Sequence, residues 1–290
     1  MLVKQTFLFI VVALFFSSCA LRRAERFAYA NTPANIFYAK QKGDAKLTGY
    51  QFSDAKGENK GFAIQTGYAI TKHIAVIASY ETKNESQNYP YDSIRYYRQG
   101  FFGATVQTNI FNSSSVLYKR KATEFAIGYL GRLENVGILT YNVYIGCAFL
   151  NNQFQDSGLD SQNNLYNRFH NTKANKYFVQ SSVHIMPSSV IHLSFGATLS
   201  SLHFSSIQTN YQQDELEYFY LNKIDKNSFV FFEPFVNIQL GIPKFSFLKF
   251  DTQLSLANNF QYNLPKAKTL SAAAGLTLEI NGLMKFIKKH

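Results

Sequence analysis
Residues 61–80, GFAIQTGYAITKHIAVIASY, decide the fold. Phe62, Ile64, Thr66, Tyr68 and Ile70 fall on one face of an extended chain, and Ala63, Gln65, Gly67 and Ala69 on the other. Period-two alternation of this kind marks a strand whose two faces meet different surroundings. Thr71-Lys72-His73 leaves room only for a tight turn before the alternation resumes at Ile74. The stretch reads as a β-hairpin, apolar on one side and small or polar on the other.

Outward from this hairpin the pattern recurs. Leu139–Asn151 sets Tyr141, Val143, Ile145, Cys147 and Phe149 against Asn142, Tyr144, Gly146 and Ala148, and Val190–Ser200 and Leu270–Ile280 do the same. Ten strands are predicted, near 46–53, 61–70, 74–83, 121–133, 138–152, 175–186, 190–204, 229–242, 246–260 and 269–281. Their connections are tight at 71–73, 134–137, 187–189 and 243–245, but long and polar at 84–120, 153–174 and 205–228. A sandwich in water has no reason to gather its long loops at one end. A transmembrane barrel does, with short periplasmic turns, longer outer loops and an even strand count. Lipid cannot satisfy open strand edges, so the sheet must close. The expected fold is all-β: a closed antiparallel up-and-down transmembrane β-barrel over 45–281, of about ten strands, with eight or twelve as alternatives. The long loops are expected outside and both termini in the periplasm.

Composition narrows the function classes. Charged residues make up 16% of the chain, against roughly 25% in an average soluble domain, and a hydrophobic content of 46% is too rich for disorder. Two cysteines, Cys19 and Cys147, exclude a disulfide framework or a multi-cysteine metal site. The net charge of +11 is scattered. Its terminal share, Arg22, Arg23, Arg26, Lys285, Lys288 and Lys289, suits an anionic headgroup layer, so no nucleic-acid partner is expected. The sequence holds no P-loop, dinucleotide fingerprint, zincin motif or G-x-S-x-G, and no cofactor is expected.

The amino terminus has its own pattern. After Lys4, residues 7–16 (FLFIVVALFF) form an apolar run about half as long as a membrane-spanning helix needs, which fits a signal peptide over 1–18. Ser17-Ser18-Cys19-Ala20 resembles a lipobox, which implies lipidation at Cys19; an ordinary signal peptide with an incidental cysteine is the alternative. Residues 19–44 show no sustained periodicity and read as a lipid-anchored linker. Residues 282–290, GLMKFIKKH, read as a basic tail, either a short interfacial helix or a frayed end.

The stretches GFAIQTGYAITKHIAVIASY, EFAIGYLGRL, KYFVQSSVHIM and FFEPFVNIQLG give the chain a resemblance to the small outer-membrane β-barrel proteins of Gram-negative bacteria. It covers roughly 45–281 and is architectural. That class includes anchors, adhesins, small pores and a few lipid-modifying or proteolytic enzymes. Its members typically stop at an aromatic residue closing the last strand, whereas this chain continues through 282–290.

If the apolar face meets lipid, the other face lines the interior. That places Glu124, Arg132, His184, His192, Glu233, Lys249, Asp251 and Glu279 inside. A charge network of Glu124, Arg132, Glu233, Lys249, Asp251 and Glu279 is expected, with Glu233 beside Lys249 and Asp251, because buried charges must be paired. It reads as structural filler, with an ion-selective lumen or a catalytic cluster as the functional alternatives. His184 and His192 flank a tight turn and are the weaker candidates, as a two-ligand metal site or a hydrolase pair with Ser182 or Ser194. Two histidines on a hairpin are more often satisfied interior polars, and no metal is expected. His73 is placed in a turn, His170 in a loop and His290 at the end. Asp156–Asn163 has oxygen ligands at calcium-like spacings but lacks the closing acidic ligand of an EF-hand, and reads as a polar loop.

Small inward residues such as Gly67, Gly128 and Gly196 beside long ones such as Gln65, Tyr144 and Phe235 would pack a narrow interior. The loop tyrosines Tyr89, Tyr91, Tyr96, Tyr97, Tyr211, Tyr218 and Tyr220 suit contact with an extracellular protein or glycan, or pack the loops over the mouth. Together these readings describe a closed, monomeric, non-enzymatic outer-membrane barrel lipoprotein bathed in outer-membrane lipid. A narrow ion channel and a membrane-embedded hydrolase are the alternatives.

Overall fold
The computed structural model describes residues 26–39, 41–53, 60–89, 96–99, 105–108, 111–132, 139–160, 162–188, 190–224, 228–259, 266–268 and 270–289. In chain order the strands are β1 (Phe27–Ala30), β2 (Ala45–Ser53), β3 (Lys60–Ala69), β4 (Ile74–Tyr89), β5 (Tyr96–Gln99), β6 (Thr105–Thr108), β7 (Phe111–Arg132) and β8 (Leu139–Asp160). They continue as β9 (Leu165–Ile185), β10 (Ile191–Thr209), β11 (Ser228–Ile242), β12 (Phe245–Leu256), β13 (Asn258–Asn259), β14 (Lys266–Lys268) and β15 (Leu270–Glu279). The described residues also hold two short α-helices, α1 (Gln213–Tyr218) and α2 (Ile280–Lys289), and a single 3-10 turn at Leu221–Lys223.

Ten strands form the wall, each antiparallel to its neighbour in chain order: β2, β3, β4, β7, β8, β9, β10, β11, β12 and β15. The ring closes where β15 pairs with β2, from Ala274 opposite Gln51 to Glu279 opposite Lys46. This is the closed up-and-down barrel that the alternation calls for. The outward face is apolar around the tight-turn half: Ile64, Ile127, Ile145, Leu199 and Leu276 are all exposed there. In lipid that exposure is favourable.

Two departures from the sequence reading matter. First, β7 to β10 are 19 to 22 residues long, about twice the span a bilayer needs. Residues 111–120, 153–160 and 165–174, assigned above to long loops, are strand, and the connection between β8 and β9 is only Ser161–Asn164. The alternation continues there with its sense reversed: Val116, Tyr118, Phe154 and Tyr166 point inward and are buried, while Lys119, Lys121, Gln153 and Gln155 are exposed. His170 is correspondingly on a strand, not in a loop, and is buried.

Second, the segment read as part of a linker is inside the barrel. Residues 26–37 are buried almost throughout, and β1 pairs in parallel with β14 from the β12–β15 connection. An extended segment with lumen on every side has no two different faces, so it shows no period. At the tight-turn end the tail is helix α2, seated by Phe286 against Phe245 and Phe247 and by Asn281 Nδ2 donating to Asp44 (2.8 Å). Among the described residues no helix is long and apolar enough to cross a membrane; the strands do the crossing.

Candidate functional site
The lumen is the candidate site, and its occupant is the chain's own residues 26–39. At the loop end Arg26 donates through Nε and Nη2 to Asp156 Oδ2 (2.9 and 2.6 Å) and through Nη2 to Ser114 Oγ (2.7 Å). Asp156 also accepts from Tyr166 (2.8 Å) and Tyr211 (2.6 Å), and the guanidinium lies over the rings of Tyr89 and Phe219. Burial beside Asp156 holds the Tyr211 phenol well above its usual pKa, so it stays a donor.

Deeper in, Tyr29 donates to Glu233 (2.5 Å), which is also paired with Lys176 (3.0 Å). Thr32 donates to Glu124 (2.7 Å), Asn31 to Ser255 (2.8 Å), Gln65 to the Pro33 carbonyl (2.7 Å) and Gln180 to that of Asn35 (3.0 Å). The Phe37 carbonyl accepts from Asn142 (2.8 Å) and Tyr144 (3.1 Å), and its ring fills the space a side chain on Gly67 would need: a Cβ there would lie 2.4 Å from Phe37 Cγ. At the turn end Tyr38 donates to Glu279 (2.9 Å), accepts from Lys249 (3.0 Å) and contacts His192. The segment therefore touches every level of the lumen. A cavity beside it, bounded by Tyr29, Thr32, Glu81, Arg120 and Asn152, measures about 30 Å³, room for a single water.

The residues singled out from sequence fall as follows. Glu124, Glu233, Lys249 and Asp251 are buried inside, and Glu279 is partly buried at the turn end. Glu233 is not near Lys249 or Asp251. The tight 243–244 turn sets the register, opposing Gln239 to Asp251 and Gly241 to Lys249, so Glu233 lies much nearer the loop end and meets Lys176 instead. Lys249 pairs with Glu279, whereas Asp251 accepts from Tyr50 (2.9 Å), Asn237 (2.5 Å), Gln239 (2.6 Å) and Thr277 (2.9 Å). Arg132 is the last residue of β7 and is exposed, apart from the network.

His184 Nδ1 lies 2.9 Å from Ser194 Oγ, and its Nε2 lies 2.8 Å from Asn142 Nδ2 and 3.2 Å from Ser182 Oγ. Tyr38 packs against both His184 and His192, with ring centroids 5.6 and 4.9 Å apart, and His184, Ser182 and Ser194 are all buried. Among the described residues no group of three His, Cys, Asp or Glu side chains could hold a metal. Asp156 and Asp160, joined in the calcium-like spacing, diverge: one is buried under Arg26, the other caps the β8–β9 turn. Of the loop tyrosines, Tyr211 is buried and Tyr89 and Tyr218 pack against the same cluster; Tyr91 and the side chains of Tyr96 and Tyr97 lie outside the described residues, as do Cys19 and His290.

The main omission from the sequence reading was the lumen occupant. One signal was available: no charged residue stands between Arg26 and Lys40, which is unlike a solvated linker.

No family model and no curated protein sequence matches the chain. Among solved structures, similarity extends to the "TodX deltaS2S3 mutant monoaromatic hydrocarbon channel", at 9% identity over 82% of this chain and 67% of that one, with a TM-score of 0.31. A likeness at that level carries no argument about the activity of this chain.

Proposed function
We propose that the protein is an outer-membrane barrel, lipid-anchored at Cys19, that is held shut by its own amino-terminal segment and works through its loop-end surface as a structural or interaction protein. The observation that supports this reading is the continuous run of contacts from Arg26 at one mouth to Tyr38 at the other. An ion-conducting lumen needs a water path, and the lumen cross-section is occupied by chain at each of these levels. A hydrolase needs substrate at His184, which is fully buried with the Tyr38 ring packed against it.

The test is electrical. Purified wild-type protein in planar bilayers should give no steady conductance steps. A variant with residues 27–38 replaced by an equal length of Gly and Ser should conduct, because the replacement loses the side chains that fill the lumen. Reproducible ion-selective openings from the wild type, altered by Lys249→Gln, would sink the closed reading and favour the channel.

A further inference from the structure
We infer that the chain upstream of Arg26 leaves the barrel through the loop-end mouth, so that the amino terminus lies on the face of the long loops and opposite the carboxy-terminal helix. The inference rests on the barrel reading above only in calling that face external. It reverses the sequence-based expectation that both termini share the periplasmic side.

The direction of the segment carries the argument. Along β8, which runs from turn end to loop end, successive residues of the segment meet falling partner numbers: Arg26 meets Asp156, the Ala28 carbonyl meets Asn152, and the Phe37 carbonyl meets Asn142. Arg26 is thus at the loop end. The lumen beneath it is filled by residues 27–38, so the upstream chain cannot turn back through it.

Chain reach then fixes the leaflet for a lipid on Cys19. The apolar band of β8 ends at Phe149, and Asp156 stands seven residues beyond it. At about 3.4 Å per residue and a tilt near 40°, Arg26 sits roughly 18 Å above the band. Cys19 precedes Arg26 by seven residues, which extend to about 25 Å at most. That length cannot cover the roughly 18 Å and also a band of about 25 Å to the far leaflet. An anchor at Cys19 therefore inserts on the loop side.

The test uses one small epitope at a time, between Arg23 and Ala24, after Gly100 in the β5–β6 connection, or after Lys289, probed with antibody on intact and permeabilised cells. The amino-terminal and loop tags should be labelled to the same extent under the same condition, and the carboxy-terminal tag under the other. Amino-terminal and carboxy-terminal tags that share a side would overturn the inference. The loop tag alone reports which face is external: its labelling only after permeabilisation would reverse the orientation proposed above without touching the inference. To show that a tagged chain remains threaded, Ala28→Cys with Asn152→Cys, in a Cys147→Ser background, should be joined by a short thiol cross-linker in native membranes. A folded barrel in which this pair does not join would also overturn it.

Discussion

The two halves of the barrel are opposite in polarity although the same strands build both. In the turn-end half the outside is apolar, with Ile127 and Ile145 exposed, while the inside holds Asp251, Lys249, Gln180 and Asn237 in mutual hydrogen bonds or bonds to the threaded segment. In the loop-end half the outside is Lys119, Lys121, Gln153 and Gln155, while Tyr118, Phe154, Leu202 and Phe229 form a buried cluster together with Tyr211, Phe219, Leu221 and Ile224. The first is built for hydrocarbon and the second for water. A strand such as β8 passes from one regime to the other near Phe149 without a break in its pairing. What changes is which of its two faces carries the apolar residues. The segment from Arg26 to Tyr38 ties the halves together, since it is anchored in both.

The largest expected effect comes from the loop-end anchor. Asp156→Ala leaves the Arg26 guanidinium buried without its carboxylate, and breaking a buried pair this way costs on the order of 3–5 kcal/mol. Urea unfolding of protein in detergent, followed by heat-modifiable gel mobility, should show that loss. If the loop-end half were merely a set of solvated loops, the substitution would be nearly silent. An unchanged midpoint would remove the case for a water-type core there.

This contrast also explains what was legible in the sequence. Strands were visible wherever outward residues face lipid, as in Phe62-x-Ile64 or Val143-x-Ile145, because alternation there coincides with hydropathy. They were cut short at 83, 121, 152, 175 and 204, where the outward face turns polar and the inward face takes over the apolar residues. The ring of buried polar positions followed from parity alone, which carried Glu124, His184, His192, Glu233, Lys249 and Asp251 to the interior. Pairing among them did not follow, because it depends on register, and the register of β11 with β12 set Glu233 apart from Lys249. The lumen segment was invisible to any periodicity argument. It makes its contacts on all sides, and only its lack of charge hinted at burial.

A second pair of substitutions tests the boundary between the halves. Ile127→Lys places a charge on the exposed band and should cost about 2–4 kcal/mol in a bilayer, the range for a lysine near the midplane of a barrel wall. Lys121→Leu, six residues up the same strand and also exposed, should change stability little. Folding into lipid vesicles with urea titration separates the two. Equal costs at both positions would mean that the band does not end where the outward residues change.

Smaller again is the effect of filling the space beside Phe37. Gly67→Val would force its side chain into the Phe37 ring, and overpacking of this kind typically costs about 1–3 kcal/mol. The strain is best relieved by moving the segment rather than the wall, which is fixed by ladder hydrogen bonds on both sides. The variant should therefore retain its barrel, judged by circular dichroism, while becoming more open to conductance than the wild type. A closed variant with unchanged stability would show that Phe37 is not the seat of the segment at the turn end.

The smallest effect is expected at the far tip of the loop-end half, where the chain should behave as any solvated hairpin. Asp160 closes the β8–β9 turn: its Oδ1 accepts from the backbone N–H groups of Gln162 and Asn164, both at 2.8 Å, and Asn163 takes a left-handed φ of 64°. Those donors favour the ionised carboxylate, the Asn164 N–H most, and hold its pKa below the ordinary value. A depressed folded pKa means that the turn gains stability above the unfolded value, about 3.9, and loses it as pH falls through the folded one. The amide resonances of Gln162 and Asn164 should accordingly titrate together below pH of about 3.9, and Asp160→Asn should abolish that step while leaving Ile127 and its neighbours unmoved. If the step instead lies above that value, the carboxylate is not held by the turn. If resonances of the lipid-facing wall move with it, the two halves are coupled more tightly than their opposite polarity implies.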